Sequence, residues 1–227
     1  MRLRWAALVS VATALLLPFV LGSWRPLVAL GVLIAAWTFA SVATSVRERI
    51  GGKHVTRAVI GMWIAHAGVG VFVLGVTLVK AYAIEEDARL THGASVDVAG
   101  YRFRLHDVRD IDGPNYRATR ATVFVSRDAR EIATLHPEKR MFDVSNTQTT
   151  EATIDHGIFR DLYVAMDRQD GADAWTLRIQ IKPFVRWIWA GCALMAAGGL
   201  LAATNRRRVR VAALDSANLT LAGETGR

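Results

Sequence analysis

The chain has one cysteine, Cys192, among 227 residues. An internal disulfide and a Cys-x-x-Cys metal site are therefore both excluded. The histidines are six and scattered. His54 falls in a basic loop, His106 on the polar face of a strand, and His92, His136 and His156 near turns or strand ends. None of these five pairs with a second His, a Cys or an acid at metal-ligand spacing. Glu151, Asp155 and Asp161 form no catalytic carboxylate pair, and no nucleophile–base arrangement is legible. Internal repeats and low-complexity runs are missing too. The net charge of +8 invites a nucleic-acid partner, yet much of it borders apolar runs, where Lys and Arg set membrane orientation. No nucleic-acid role is expected.

Long charge-free runs are what the chain has in abundance. Trp5 to Gly22, Leu27 to Val46, Ala58 to Val79 and about Phe184 to Ala203 are each apolar and suited to crossing a hydrocarbon core. The first follows a basic start like a signal peptide, but it lacks a clear A-x-A site, and Gly22 to Pro26 reads as a turn into a second span. The short loops then orient the chain. Arg2 and Arg4, the 47–57 loop with its Gly51–Gly52 hinge, and the Arg206–Arg210 cluster belong on the cytoplasmic side. Four spans satisfy all three, and they put residues 84–182 on the opposite face. The expected layout is two spans in 1–46, a basic loop in 47–57, a third span in 58–83, a soluble domain in 84–182, a last span in 183–204 and a disordered tail in 205–227. Gly61, Ala65, Gly68 and Gly75 share one stripe, and Ala193 with Ala197 is a small-xxx-small pair. Both favour close helix packing in lipid. Trp187 and Trp189, with Lys182 and Arg186, suit the headgroup belt.

Between the third and fourth spans the pattern changes to a period of two. Tyr101, Phe103 and Leu105 alternate with Arg102, Arg104 and His106. Trp175, Leu177, Ile179 and Ile181 alternate in the same way with Thr176, Arg178, Gln180 and Lys182. The runs Ala121–Val125 and Glu131–Leu135 flank a polar turn at Ser126–Ala129, and Asp112–Asn115 and Gln169–Gly171 are further turn signals. Glu85, Glu86 and Asp87 read as a solvated helix end. The fold class is an α-helical integral membrane protein of about four transmembrane helices, carrying an inserted small antiparallel β domain, a barrel or a sandwich.

His66 is the one ionisable side chain inside the 22-residue run from Ala58 to Val79. Such a group is costly in lipid unless it meets a partner, a cavity or a cofactor. Its same-face neighbours are Met62, Val69, Gly70 and Val73. Gly70 should leave room beside the ring for a planar apolar cofactor whose iron an imidazole nitrogen could bind. The alternative is a structural His bonded within the helix packing.

Five ordered blocks resemble the C-terminal part of the CcmF/NrfE family of cytochrome c-type biogenesis haem lyases. They are GMWIAHAG (61–68), DVRDIDGPNYRATRATVFVSRD (107–128), PEKR (137–140), TEATIDHGIFRDLYVA (150–165) and KPFVRWIWAG (182–191). Their order and spacing agree with the family from about Arg47 to Arg210. The resemblance implies a bacterial inner-membrane protein with residues 84–182 in the periplasm. It implies a role in attaching haem to the CxxCH thiols of apocytochrome c, with haem delivered by a periplasmic haem chaperone. His66 stands where the family places an axial ligand to haem iron. The family's second ligand, its Trp-rich motif and its other histidines have no counterpart here. The chain then corresponds to roughly the last third of the family pattern, a split subunit or a fragment, inactive without a companion carrying the missing part. The competing expectation is a non-catalytic, membrane-anchored assembly protein whose β domain binds partners. A transporter subunit fits less well, because polar groups or broken helices recur in several spans of such proteins.

Overall fold

A computed structural model describes residues 4–20, 24–50, 55–171 and 173–224, without the side chains of 205–224. His54 and the Gly51–Gly52 hinge lie outside the described residues. Two compact units are formed: Met1–Leu78 with Trp187–Arg227, and Val79–Arg186.

The first unit is helical. It contains α1 (Arg4–Val20), α2 (Pro26–Ile50), most of α3 (Arg57–Tyr82) and most of α4 (Val185–Glu224). Among the described residues, three helices are long and apolar enough to cross a membrane: Pro26–Ile50, Arg57–Tyr82 and Val185–Thr204. α1 is a shorter apolar helix, with 17 described residues. Its buried positions Ala6, Ser10, Ala14 and Pro18 recur every four residues, and α1 packs on α2.

Glycines decide how α3 meets α4. A Cβ on Gly61 would lie 2.5 Å from the Gly198 carbonyl, and one on Gly68 would lie 2.7 Å from the Met195 nitrogen. At Gly75 it would meet the Ile188 nitrogen at 2.9 Å. All three obstacles are backbone, which cannot rotate away, so only glycine permits this approach. The expected α3 stripe is therefore used. On α4, however, the close residues are Gly191 and Gly198, whereas Ala193 and Ala197 are exposed. The last helix is described through Glu224. No Gly or Pro interrupts residues 200–222, and Ala, Leu and Arg there are strong helix formers.

The second unit is a β-sandwich, which resolves the choice between barrel and sandwich. One sheet has the order β1-β10-β9-β8, and the other has the order β2-β3-β4-β6-β7 with β5 also paired to β4. The first is built from β1 (Ile84–Thr91), β8 (Thr153–His156), β9 (Arg160–Gln169) and β10 (Ala174–Pro183). The second uses β2 (Ser95–Val98), β3 (Tyr101–Asp112), β4 (Tyr116–Arg127), β5 (Arg130–Leu135), β6 (Glu138–Phe142) and β7 (Gln148–Glu151). Every pairing is antiparallel. Phe103, Leu105, Val123 and Val125 from one sheet interlock with Leu162, Val164, Met166, Leu177 and Ile179 from the other. The alternation read in β3 holds, with Tyr101, Phe103 and Leu105 inward and Arg102, Arg104 and His106 outward. In β10 the register shifts between Trp175 and Leu177. The extra residue is on β9, so the alternation read in β10 holds: Trp175, Leu177, Ile179 and Ile181 face the core, and Thr176, on the other face, is buried where it donates to Asp170. The polar turn between β4 and β5 is a two-residue hairpin with Asp128 and Ala129 both at positive φ (51° and 62°), the geometry that matches strand twist.

The acidic run Glu85–Asp87 is not a helix end. α3 stops at Tyr82 and these residues lie in β1, paired with β10. Glu85 and Asp87 flank Arg178 at 3.4 and 3.0 Å, so these residues stay exposed, as expected, but pair across strands.

Candidate functional site

His66 occupies the middle of α3, nine residues or about 14 Å after Arg57. Its Nδ1 lies 2.8 Å from the Met62 carbonyl oxygen one turn earlier. A carbonyl only accepts, so Nδ1 carries the proton and donates. That leaves Nε2 as the unprotonated nitrogen, the one able to bind a metal. Nε2 has no hydrogen-bond partner among the described residues. The side chain is exposed, as are Met62, Val69 and Val76. These positions, with half-buried Val73, draw an apolar stripe along α3 with a single imidazole in it. The tautomer and the exposure both fit a ligand to haem iron.

One expectation about this site needs correcting. The room beside Gly70 is filled by Phe39 of α2, whose ring would meet a Cβ there at 2.8 Å. Gly70 is buried. The glycine accommodates a neighbouring ring from within the chain, and a planar group at His66 has to approach from the Met62–Val69 side. Phe39 was not anticipated because a helix–helix contact between positions 31 residues apart leaves no periodic trace. Nor was the hydrogen bond from Trp63 Nε1 to Ser45 Oγ, at 3.0 Å, that ties the same helices.

The remaining candidates carry no site of their own. His92 and His106 approach with ring centroids 6.2 Å apart, and His106 leans on Phe124 at 4.8 Å. His136 Nδ1 is 3.5 Å from Thr122 Oγ1. His156 Nδ1 is 3.3 Å from Asp161. Asp155 is held by Arg160, and Glu151 lies 3.7 Å from Arg140. No group of three or more metal-binding side chains occurs among the described residues. Cys192 is half-buried in α4.

Sequence reading passed over Glu138, within PEKR. It is buried on β6 and bridges Arg120 at 2.5 Å and Arg140 at 2.8 Å. Burial alone would raise its pKa, but hydrogen bonds from Arg140 and Arg120 outweigh that and hold it below the usual glutamate value of 4.5. Arg140 also lies over the Tyr116 ring at 4.6 Å. The visible signal was a Glu beside two cations, Lys139 and Arg140, in a strand. The deciding partner, Arg120, arrives only through the Arg120–Glu138 pairing of β4 and β6.

Comparison with known proteins brings these features together. The model of the family described as CcmF C-terminal beta-sandwich matches residues 81–183, the whole of the sandwich. The cytochrome c-type biogenesis protein CcmF of Pseudomonas aeruginosa is 42% identical over 200 residues, 85% of this chain and 30% of that protein. CcmF of Escherichia coli is 40% identical over 194 residues, again 85% and 30%. The cytochrome c-type biogenesis protein NrfE of Haemophilus influenzae is 31% identical over 156 residues, 69% of this chain and 25% of that protein. A solved structure of a cytochrome c heme lyase CcmF shares the fold, with a TM-score of 0.74 at 21% identity, covering 87% of this chain and 34% of that one. The chain spans about 30% of the length of the curated relatives it matches. It belongs to the CcmF family of cytochrome c-type biogenesis proteins, and the part of the family it matches is the C-terminal one.

Proposed function

We propose that this chain is the C-terminal portion of a cytochrome c haem lyase in the bacterial inner membrane, and that His66 holds haem iron through Nε2. The observation that carries this reading is the Nδ1 bond to the Met62 carbonyl on an exposed, otherwise apolar face. It fixes the tautomer a ligand requires, as the backbone partners of metal-bound histidines do. An imidazole facing lipid with nothing on it would be unfavourable. The exposed stripe is therefore a surface for a companion and for haem together. The companion carries the family's Trp-rich motif and its other histidines. Haem is the cargo: its vinyl groups accept the CxxCH thiols of apocytochrome c. The chain's own task is to hold the iron, orient the ring with the Met62 bond, and close one side with Phe39.

The positive charges support an orientation. Arg47, Arg49 and Arg57 flank the segment between α2 and α3, and the Arg206–Arg210 run follows the last span. With these in the cytoplasm, the sandwich lies in the periplasm, where it would meet the haem chaperone and the apocytochrome.

The test is cytochrome maturation in cells that lack their own lyase. The companion, this chain and a CxxCH reporter are expressed together, and covalent haem is stained after denaturing electrophoresis. The proposal expects a haem-stained reporter only when both chains are present. An equal signal without this chain would overturn it.

A further inference from the structure

Ile158 and Phe159 form the tip of the β8–β9 turn, and they are 66% and 62% exposed. Turns facing water favour Gly, Asn, Asp, Ser and Pro. Here Gly157 is followed by two adjacent large apolar side chains. Their position in the sheet explains them. Ile84 pairs with Ile181, Asp161 with Lys182, and Arg160 with Pro183. The start of β1, the end of β10 and the β8–β9 turn thus lie at one end of the same sheet. At that end the chain arrives from α3 and departs into α4, both long and apolar enough to span a membrane.

The turn is tied to the residue that leads into α4. Phe184, one residue before α4, donates its backbone N–H to the Phe159 carbonyl at 3.0 Å. The two rings meet edge-on with centroids 6.1 Å apart. Phe184 holds a φ of 58°, a conformation uncommon for a bulky residue, and the bond and ring contact to Phe159 maintain it. Charges around the tip are arranged to suit a lipid surface. Asp155 is held by Arg160, while Asp161 accepts from the Gly157 N–H and lies against His156. Lys182 stands over the Tyr163 ring at 5.3 Å, and Arg186 is exposed in the first turn of α4. The Asp155 and Asp161 carboxylates beside the turn are thus tied down, while Lys182 and Arg186 leave positive charge next to Phe184.

We propose that the Ile158–Phe159 turn inserts into the boundary between lipid headgroups and acyl chains, as a second membrane contact for the sandwich beside its two chain connections. Aromatic and apolar side chains flanked by Lys and Arg are the composition that boundary favours. This rests on the membrane reading of α3 and α4 and is independent of haem.

The test uses the full chain in nanodiscs of phosphatidylcholine and phosphatidylglycerol. A nitroxide is attached at Ile158→Cys, and separately at Phe159→Cys, each in a Cys192→Ala background. Val144→Cys, a 96% exposed position in the same unit, is the aqueous reference. Relaxation by oxygen and by a water-soluble nickel chelate is compared. The proposal expects both tip labels to favour oxygen several-fold over the reference and to be shielded from nickel. Tip labels as open to nickel as Val144 would overturn it. So would labels immobilised and shielded from both reagents, because a protein partner would then cover the turn.

Discussion

The Glu138 carboxylate lies between the guanidinium groups of Arg120 and Arg140 with only 6% of its side chain exposed. Its lowered pKa makes the pair a source of stability that depends on pH. A carboxyl lowered on folding stabilises the protein above its unfolded value of 4.5, and that contribution disappears as pH falls through the lower folded value. Glu138→Gln should therefore be less stable than wild type at pH 7, by roughly 2 kcal/mol given that both arginines keep some solvent contact. The difference should shrink as pH falls below 4.5. Denaturant melts of the detergent-solubilised protein, followed by β circular dichroism across pH 3–7, would measure this; a pH-independent gap would contradict the assignment. At this scale the sequence was partly legible. His66 stood out because a titratable group in an apolar run has few neighbours to hide it. Phe39 and Glu138 did not, because each acquires its role from a partner on another element.

Helix packing makes a sharper prediction, since two adjacent glycines of α4 face opposite surroundings. A Cβ on Gly198 would press on the Gly61 carbonyl at 2.5 Å, whereas one on Gly199 meets nothing within 4 Å. Gly198→Ala should cost roughly 1–3 kcal/mol through forced separation of the helices. Gly199→Ala should be neutral or stabilising by up to about 1 kcal/mol, the gain in helix propensity. Thermal unfolding of the two variants, read by helical circular dichroism in the same detergent, checks the contrast, and equal melting points would contradict the packing. Elements were the most legible level of this chain. Charge-free runs marked the helices, and period-two alternation marked β3 and β10. What failed was local. β1 claimed the acidic run that resembled a helix end. Small residues predicted that α3 would pack closely, but which small residues of α4 would face it depended on helix rotation, which spacing alone does not give.

For the molecule as a whole, the sandwich and the helices are separate compact units, and the proposed function gives each a separate task. The helices present His66 on an exposed face, and the sandwich carries the surface expected to meet soluble partners. If the basic segments are cytoplasmic, Val144→Cys in a Cys192→Ala background should react with a membrane-impermeant maleimide added to spheroplasts. Labelling only after lysis would reverse the orientation. The two-part architecture was readable from composition and an antiparallel β domain from strand spacing, but the choice of sandwich over barrel was not. The most direct test of the central claim is the haem spectrum of this chain purified with its companion, as wild type and as His66→Ala. A haem ligated by His66 predicts a low-spin bis-histidine spectrum in the wild type that His66→Ala loses. Equal spectra from both proteins, or no haem in either despite the companion, would contradict it and leave His66 as a packing residue of a scaffold.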